Sequence, residues 1–495
     1  MYGCFLEDVP TKTANFTVLY CNYERERTMK KKRIAAVFLL IASIVTLFSG
    51  CSRTEKASKG DVTTITMWTP NTHNKAEMEE AVDEFNNTIG KEQGIYFEYV
   101  VKEGEMYKQS IELALQSGQG PDLISDYGKG LRTMIESGYV AAISDLPGGE
   151  EFVAQYADSI REYSHRVNGK VYRVPVSVTT AGLLYNKDMF KAAGIVDENG
   201  EAKPPVTFDE MREVSKKLTN RSKQQFGIIL PAKWSGWVGS DMTQLMQSSC
   251  GHEGFDPVTG EYDFSILEPI IECYMGIIDD GSAYPGMDGI DNDMARAYFA
   301  EGNIGMKIGM SFDVGVLNDQ FPAEMDWGVA PLPVVDAGKR YKQRCSYGSS
   351  PLISKNAFEN IDGEKLMTVL KLVVGDKENP EIIRKMYKTG KSIPVDWDIV
   401  KDIELKNAKT GWKEFAQMVE ISVPPVLPGF SLEGKKTLQE RIITEALPKK
   451  KSVKTVLDEY TKDATEATKA YYELHTDIDF NTYLDKDWYE KVKLD

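Results

Sequence analysis

The chain has 495 residues, 42% apolar and 27% charged, an ordinary globular composition and enough length for two or three domains with large cores. Its 59 basic against 75 acidic side chains leave a net charge of −16. That balance argues against a nucleic-acid partner or a charge-held lipid surface, both of which need a basic face, and six scattered Cys with four His and no Cys-x-x-Cys pair leave no usual zinc spacing.

Residues 1–28 are expected to be an extension from a misassigned start, because Met29 stands directly before Lys30, Lys31, Lys32 and Arg33. Residues 29–50 read as a secretory signal: a basic start, an apolar run from Ile34 to Phe48, then small residues. The run is shorter than the ~20 residues that span a bilayer. Phe48, Ser49, Gly50 and Cys51 resemble the lipobox of bacterial lipoproteins, with Phe48 where Leu is usual. The resemblance implies lipidation of Cys51 and a protein held on the extracytoplasmic face of the cell membrane. A plain signal cut near Gly50 is the alternative. Residues 51–61 are then a flexible, lipidated tether.

The folded body alternates strands and helices. Residues 62–68 predict a strand, 75–87 an amphipathic helix, 95–101 a second strand, 107–115 a second helix and 122–125 a short third strand. That order argues for a parallel sheet covered on both faces. After residue 180 the pattern restarts with a strand at 182–185 and a helix around 189–193. Thr207 and Glu210 form a capping-box pattern that opens a helix carrying Met211, Val214 and Leu218. Residues 226–230 and 304–308 are further strands. The last 60 residues are mostly helical, and the tail from Thr476 is expected to pack on the surface of a lobe.

Several segments together resemble one family. The run Ser117–Ser125 (SGQGPDLIS) is similar to a segment of bacterial extracellular solute-binding proteins of the type that serves sugar importers of the ATP-binding-cassette class. Ser137–Leu146 follows in the same order. Gly182–Gly194 (GLLYNKDMFKAAG), preceded by Val174 and Pro175, is the most specific piece. Pro205–Glu210, Phe299–Met306, Pro331–Pro333 and Tyr347–Lys355 complete the series. The resemblance implies an α/β, two-lobe, periplasmic-binding-protein-like fold of type II, each lobe a mainly parallel sheet flanked by helices, with the ligand cleft between lobes. It implies crossings near 174–180, 341–347 and 391–396. Lobe 1 would be 62–175 plus 345–392, and lobe 2 would be 180–340 plus 396–495. It further implies a monomeric binding protein, not an enzyme, whose partners are a carbohydrate, expected to be an oligosaccharide, and the membrane permease of an importer.

A sugar pocket needs flat apolar faces and short polar groups, which Tyr, Trp and small polar side chains supply. The chain has 24 Tyr and seven Trp. Trp68 ends the first predicted strand, and Asp126 and Tyr127 follow the third, at the carboxyl ends where open α/β sheets bind ligands. Trp234 and Trp237 flank a Ser-Gly pair, with Asp241 beyond. Phe312 follows the strand at 304–308, and Thr179 and Tyr347 fall at the implied crossings. These nine are the candidate ligand-binding residues. Each aromatic has a competing reading as core, and Asp126 one as a helix cap.

No catalytic residue, metal or cofactor is expected. Gly390, Lys391 and Ser392 end like a phosphate-binding loop, but Lys385 stands where its first Gly should be. The acidic run Asp288–Asp293 lacks EF-hand spacing. Cys250, Cys273 and Cys345 are read as three thiols. A polyamine or peptide ligand on the same fold, and a secreted carbohydrate-active hydrolase, remain as alternatives.

Overall fold

The computed structural model describes residues 62–494 apart from 73, 103, 407, 429–431, 433 and 477. The expected extension, signal, Cys51 and tether lie outside the described residues.

Two sheets organise the chain. The first joins strands Thr63–Thr69, Ile95–Val101, Leu123–Ile124, Val140–Ala141 and Leu352–Ser354. Thr63–Thr69 runs parallel to Ile95–Val101 along seven paired residues, from Thr63↔Ile95 to Thr69↔Val101. Helix Lys75–Asn87 connects them and buries Met78, Val82 and Phe85, the stripe expected from their three- and four-residue spacing. Asp122 ties the third strand to the first, its carboxylate accepting from Thr66 N at 2.8 Å and Thr66 Oγ1 at 3.0 Å.

The second sheet joins Ala181–Asn186, Phe226–Ile228, Ile304–Met310 and Trp327–Ala330. Every residue of Ile304–Met310 is buried, as a central strand covered on both faces requires. Leu183 and Leu184 point into separate cores on the two faces of this sheet.

The sheets are mixed rather than uniformly parallel, and the exception has one cause. Leu352–Ser354 runs against both of its neighbours in the first sheet. Ala181–Asn186 runs against both of its neighbours in the second. All other strands within each sheet share one direction. Both reversed strands enter directly from a chain crossing, with no helical crossover before them, so nothing forces the parallel sense that a βαβ unit imposes.

The crossings pair with one another. Pro175–Thr179 is the middle strand of an antiparallel ribbon, with Ser346–Ser349 on one side and Ile393–Pro394 on the other. Of the crossings that the resemblance implies, 174–180 and 391–396 each contain a strand of this ribbon, whereas of 341–347 only Ser346 and Tyr347 lie on it and residues 340–341 and 343–344 pair elsewhere.

Thr207 caps its helix by accepting from Glu210 N at 3.2 Å. Glu210 reaches back one residue further than a capping box does, to Val206 N at 2.7 Å. A reciprocal box forms instead at Thr437 and Glu440, opening helix Leu438–Arg441. The 22-residue helix Val453–Leu474 covers the second lobe. The tail returns to that lobe: Trp488 Nε1 donates to Gly251 O at 2.7 Å, and Lys493–Leu494 pairs with Arg340–Tyr341. Cys250, Cys273 and Cys345 are all free thiols. Asp291 caps the helix Asn292–Ala300, which accounts for part of the acidic run before it.

Candidate ligand-binding cleft

A cleft of about 640 Å³ lies between the sheets. Thr69, Pro70 and Asn71 wall it at the carboxyl end of the first strand, with Tyr99 from the second and Ser125 from the end of the third. This is the edge where open α/β sheets take ligands. The opposite wall is Phe312 and the short helical segment Asp313–Gln320 that follows it, and the ribbon supplies Ser177, Thr179 and Ser349. Helix Glu381–Lys388 bridges the two sides. Its Met386 lines the cleft, while Tyr387 packs on Trp412 in a core of the second lobe at 6.0 Å between centroids. Toward the first lobe, Lys385 pairs with Glu80 at 2.8 Å and Lys391 lies 3.8 Å from Glu77.

The Phe312 wall stands on buried charge. Asp313 is 1% exposed, accepts from Met310 N at 3.0 Å and pairs with Arg296 at 2.7 Å. Lys307, 2% exposed, lies 4.0 Å from Asp313 and donates to Ile308 O at 2.7 Å. Charges this deep persist only when paired and hydrogen-bonded. The same Arg296 sits 5.2 Å from the Phe312 ring centroid, so one guanidinium fixes both the buried carboxylate and the exposed ring. Phe312 remains 41% exposed, an aromatic face offered to the cleft.

Of the nine candidate residues, the structure brings Thr179 and Phe312 to the cleft lining. Trp68 faces the other side of its strand, under Lys102 at 4.1 Å and beside the cluster of Tyr107 and Ile111. Asp126 accepts from Gly128 N at 2.8 Å and pairs with Arg173. The Tyr127 hydroxyl donates to Glu112 at 3.0 Å. Trp237 is 1% exposed against Tyr274 in the second-lobe core. The Trp234 ring closes over Gly236, and Gln439 pins this loop by donating to Trp234 O at 2.8 Å while accepting from Val238 N at 3.2 Å. Asp241, 4% exposed, faces Lys307 and Asp313; burial pushes its carboxyl up to about 7. Tyr347 pairs with Val178 on the ribbon.

Tyr99, Asn71 and Ser349 were not among the candidates, yet the first had a readable signal. Strand side chains alternate, so Ile65, Met67 and Thr69 share a face, as do Ile95, Phe97 and Tyr99. That face is core at mid-sheet, where Ile65 and Phe97 are buried, and becomes cleft at the carboxyl edge. Ser349 had no such signal, because it depends on an irregular ribbon register.

A narrow ribbon joining two separately cored lobes, with a cleft at their junction, defines a class of hinged binding proteins that take a solute between lobes. The family follows from the sequence: residues 69–360 match the model of bacterial extracellular solute-binding proteins, and the chain belongs to that family. It is 27% identical over 312 residues to a maltotriose-binding protein of Pyrococcus abyssi, covering 63% of this chain and 62% of that one. It is 26% identical over 263 residues to an sn-glycerol-3-phosphate-binding periplasmic protein of Brucella abortus, covering 51% and 58%. The chain thus spans about six tenths of the length of these curated relatives. A maltose/maltodextrin-binding domain from Bdellovibrio bacteriovorus, solved with maltotriose, shares the fold at a TM-score of 0.57 and 17% identity, over 83% of this chain and 100% of that one. Among the described residues, no helix is long and apolar enough to cross a membrane, and no cluster of His, Cys, Asp and Glu could hold a metal ion.

Proposed function

We propose that the protein is the lipid-anchored binding component of an ATP-binding-cassette importer, capturing a neutral carbohydrate between its lobes and presenting it to a membrane permease. The observation that carries the ligand class is charge pairing in the cleft. Its two charged lining side chains, Asp319 and Lys391, each have an opposite charge beside them: Asp319 pairs with Lys409, and Lys391 with Glu77. A phosphate ligand calls for unmatched cations or a bidentate Arg, and a polyamine for unmatched carboxylates. The other polar lining is hydroxyl and amide, including Thr69, Asn71, Ser125, Thr179, Gln320 and Ser349. These groups both donate and accept, as sugar hydroxyls do.

Tyr99 and Phe312 come from opposite lobes, so closure brings two apolar faces onto the same ligand. Acylation at Cys51 would keep the protein beside its permease. The test is a thermal-shift and calorimetric comparison of the full chain, solubilised in detergent, against maltotriose, raffinose, sn-glycerol-3-phosphate and spermidine. A neutral glycan should raise Tm by linkage, without product formation. A shift with the phosphate or the polyamine alone overturns the ligand class and leaves the family standing.

A further inference from the structure

We propose that His165 holds Ser349 as a hydrogen-bond donor facing the cleft, which makes His165 a positioning residue for ligand capture. Only the identity of the acceptor rests on the carbohydrate reading; the relation between His165 and Ser349 stands on geometry.

His165 is 4% exposed, just before strand Arg166–Val167. Its Nδ1 accepts the backbone N–H of Arg161 at 3.1 Å. A ring nitrogen that accepts carries no proton, so the neutral imidazole holds its proton on Nε2. Nε2 lies 3.4 Å from Ser349 Oγ. The Nε2–H therefore donates, Oγ accepts, and the Ser349 hydroxyl proton is left for a third partner. Ser349 lines the cleft, at the point where the ribbon register shifts between Gly348 and Ser349. Such an irregularity re-aims a side chain out of the ladder alternation.

The next residue shows the contrast. Ser350 Oγ accepts from Val174 N at 3.1 Å and donates to Pro351 O at 3.2 Å, so both of its roles are filled within the protein. Burial, followed by the charges of Arg173 and Arg161, pushes the His165 imidazole down to about 3. One neutral tautomer then persists across the physiological range, and Ser349 stays a donor throughout. A donor fixed in this way suits an oxygen that can only accept, such as a ring or bridging ether oxygen of a glycan, as well as a hydroxyl lone pair.

The first test needs no ligand. The chain has four histidines, so histidine-selective ¹⁵N labelling of the full chain gives a countable spectrum. At pH 7 His165 and His252, whose Nδ1 accepts from Gly254 N at 3.1 Å, should both be neutral with a bare Nδ1, and the signal absent from His165→Gln is that of His165. Its Nε2–H should exchange faster in Ser349→Ala. A cationic ring, a proton on Nδ1, or an exchange rate indifferent to Ser349→Ala overturns the proposal.

The second test uses maltotriose as probe. Ser349→Ala and His165→Leu should each weaken binding roughly tenfold, the loss of one hydrogen bond to the ligand. The double variant should be no worse than either single, and His165→Gln, which keeps a donor near Nε2, should recover most of the affinity. Additive losses overturn the proposal. If the wild type binds none of the glycans tested, the carbohydrate reading falls, and the tautomer and exchange measurements still decide the His165–Ser349 relation.

Discussion

Asp241→Asn should stabilise the protein at alkaline pH and leave it nearly unchanged at acid pH. Asp241 is buried in the second lobe, facing Lys307 and Asp313, and burial raises its carboxyl from the usual 3.8 to about 7. The native state therefore keeps a proton between about pH 4 and 7 that the unfolded chain has released. Where the native state binds more protons, stability falls as pH rises. A shift of three units corresponds to on the order of 4 kcal/mol at most, at about 1.4 kcal/mol per unit. Asn matches the neutral acid in shape and never ionises, so the variant escapes this loss. Wild-type stability alone does not reveal the effect, because His165 and His252 are held below the usual imidazole value by burial and tilt the curve the other way. The difference between variant and wild type isolates Asp241. At roughly 1 °C per kcal/mol for a chain of this size, Asp241→Asn should match wild-type Tm only below about pH 4 and exceed it by a few degrees at pH 8. A variant less stable than wild type at pH 8 refutes the reasoning, since it would mean that an ionised Asp241 pairs productively with Lys307.

Three further outcomes separate the cleft from the core. Phe312→Ala should weaken a bound glycan by about 0.5–1.5 kcal/mol, the scale of an aromatic contact beyond its area, with little change in Tm, read by calorimetry and thermal melts. Trp237→Ala should lower stability by about 3–5 kcal/mol; affinity measured on the folded fraction should hold, and a selective loss of affinity would place Trp237 at the ligand after all. Cys51→Ala should abolish incorporation of a labelled fatty acid and release the protein from the membrane fraction, whereas unchanged labelling would move the lipidation site elsewhere.

The strands and helices of the first lobe were legible because their burial follows a simple period. Helix Lys75–Asn87 and strand Ile95–Val101 match the expected bounds, since an apolar stripe at three- and four-residue steps and a β-branched, aromatic run each have few ways to be buried. The reversed strands were not legible. Leu352–Ser354 and Ala181–Asn186 have the composition of parallel strands, and their direction follows from which crossing they leave. Site residues were harder still. Trp68 drew attention by its chemistry, but side-chain parity, which is also in the sequence, points instead to Thr69 and Tyr99. Small residues between Trp234 and Trp237 favour an exposed loop, yet Trp237 is 1% exposed. The loop's anchor, Gln439, is some 200 residues away in sequence and no local pattern reveals it.

The way the chain crosses between lobes divides the cleft residues into two mechanical kinds. Ser177, Thr179 and Ser349 lie on the antiparallel ribbon that all three crossings build, so they sit at the axis about which lobes turn. Contacts at such an axis are expected to change little between open and closed arrangements. Tyr99 and Phe312 belong to separate lobes, and only closure brings both onto one ligand. A ligand shifts a conformational equilibrium only by its differential affinity for the two states. Ribbon contacts therefore contribute affinity without driving closure, while the two rings contribute closure itself. Ser177→Ala should weaken binding yet leave the ligand-induced decrease in radius of gyration, measured by X-ray scattering at saturating glycan, at its wild-type size. Tyr99→Ala with Phe312→Ala should shrink that decrease even when the ligand saturates. If both variants saturate to the same closed dimension, the rings act as ordinary affinity contacts and the division by crossing topology fails.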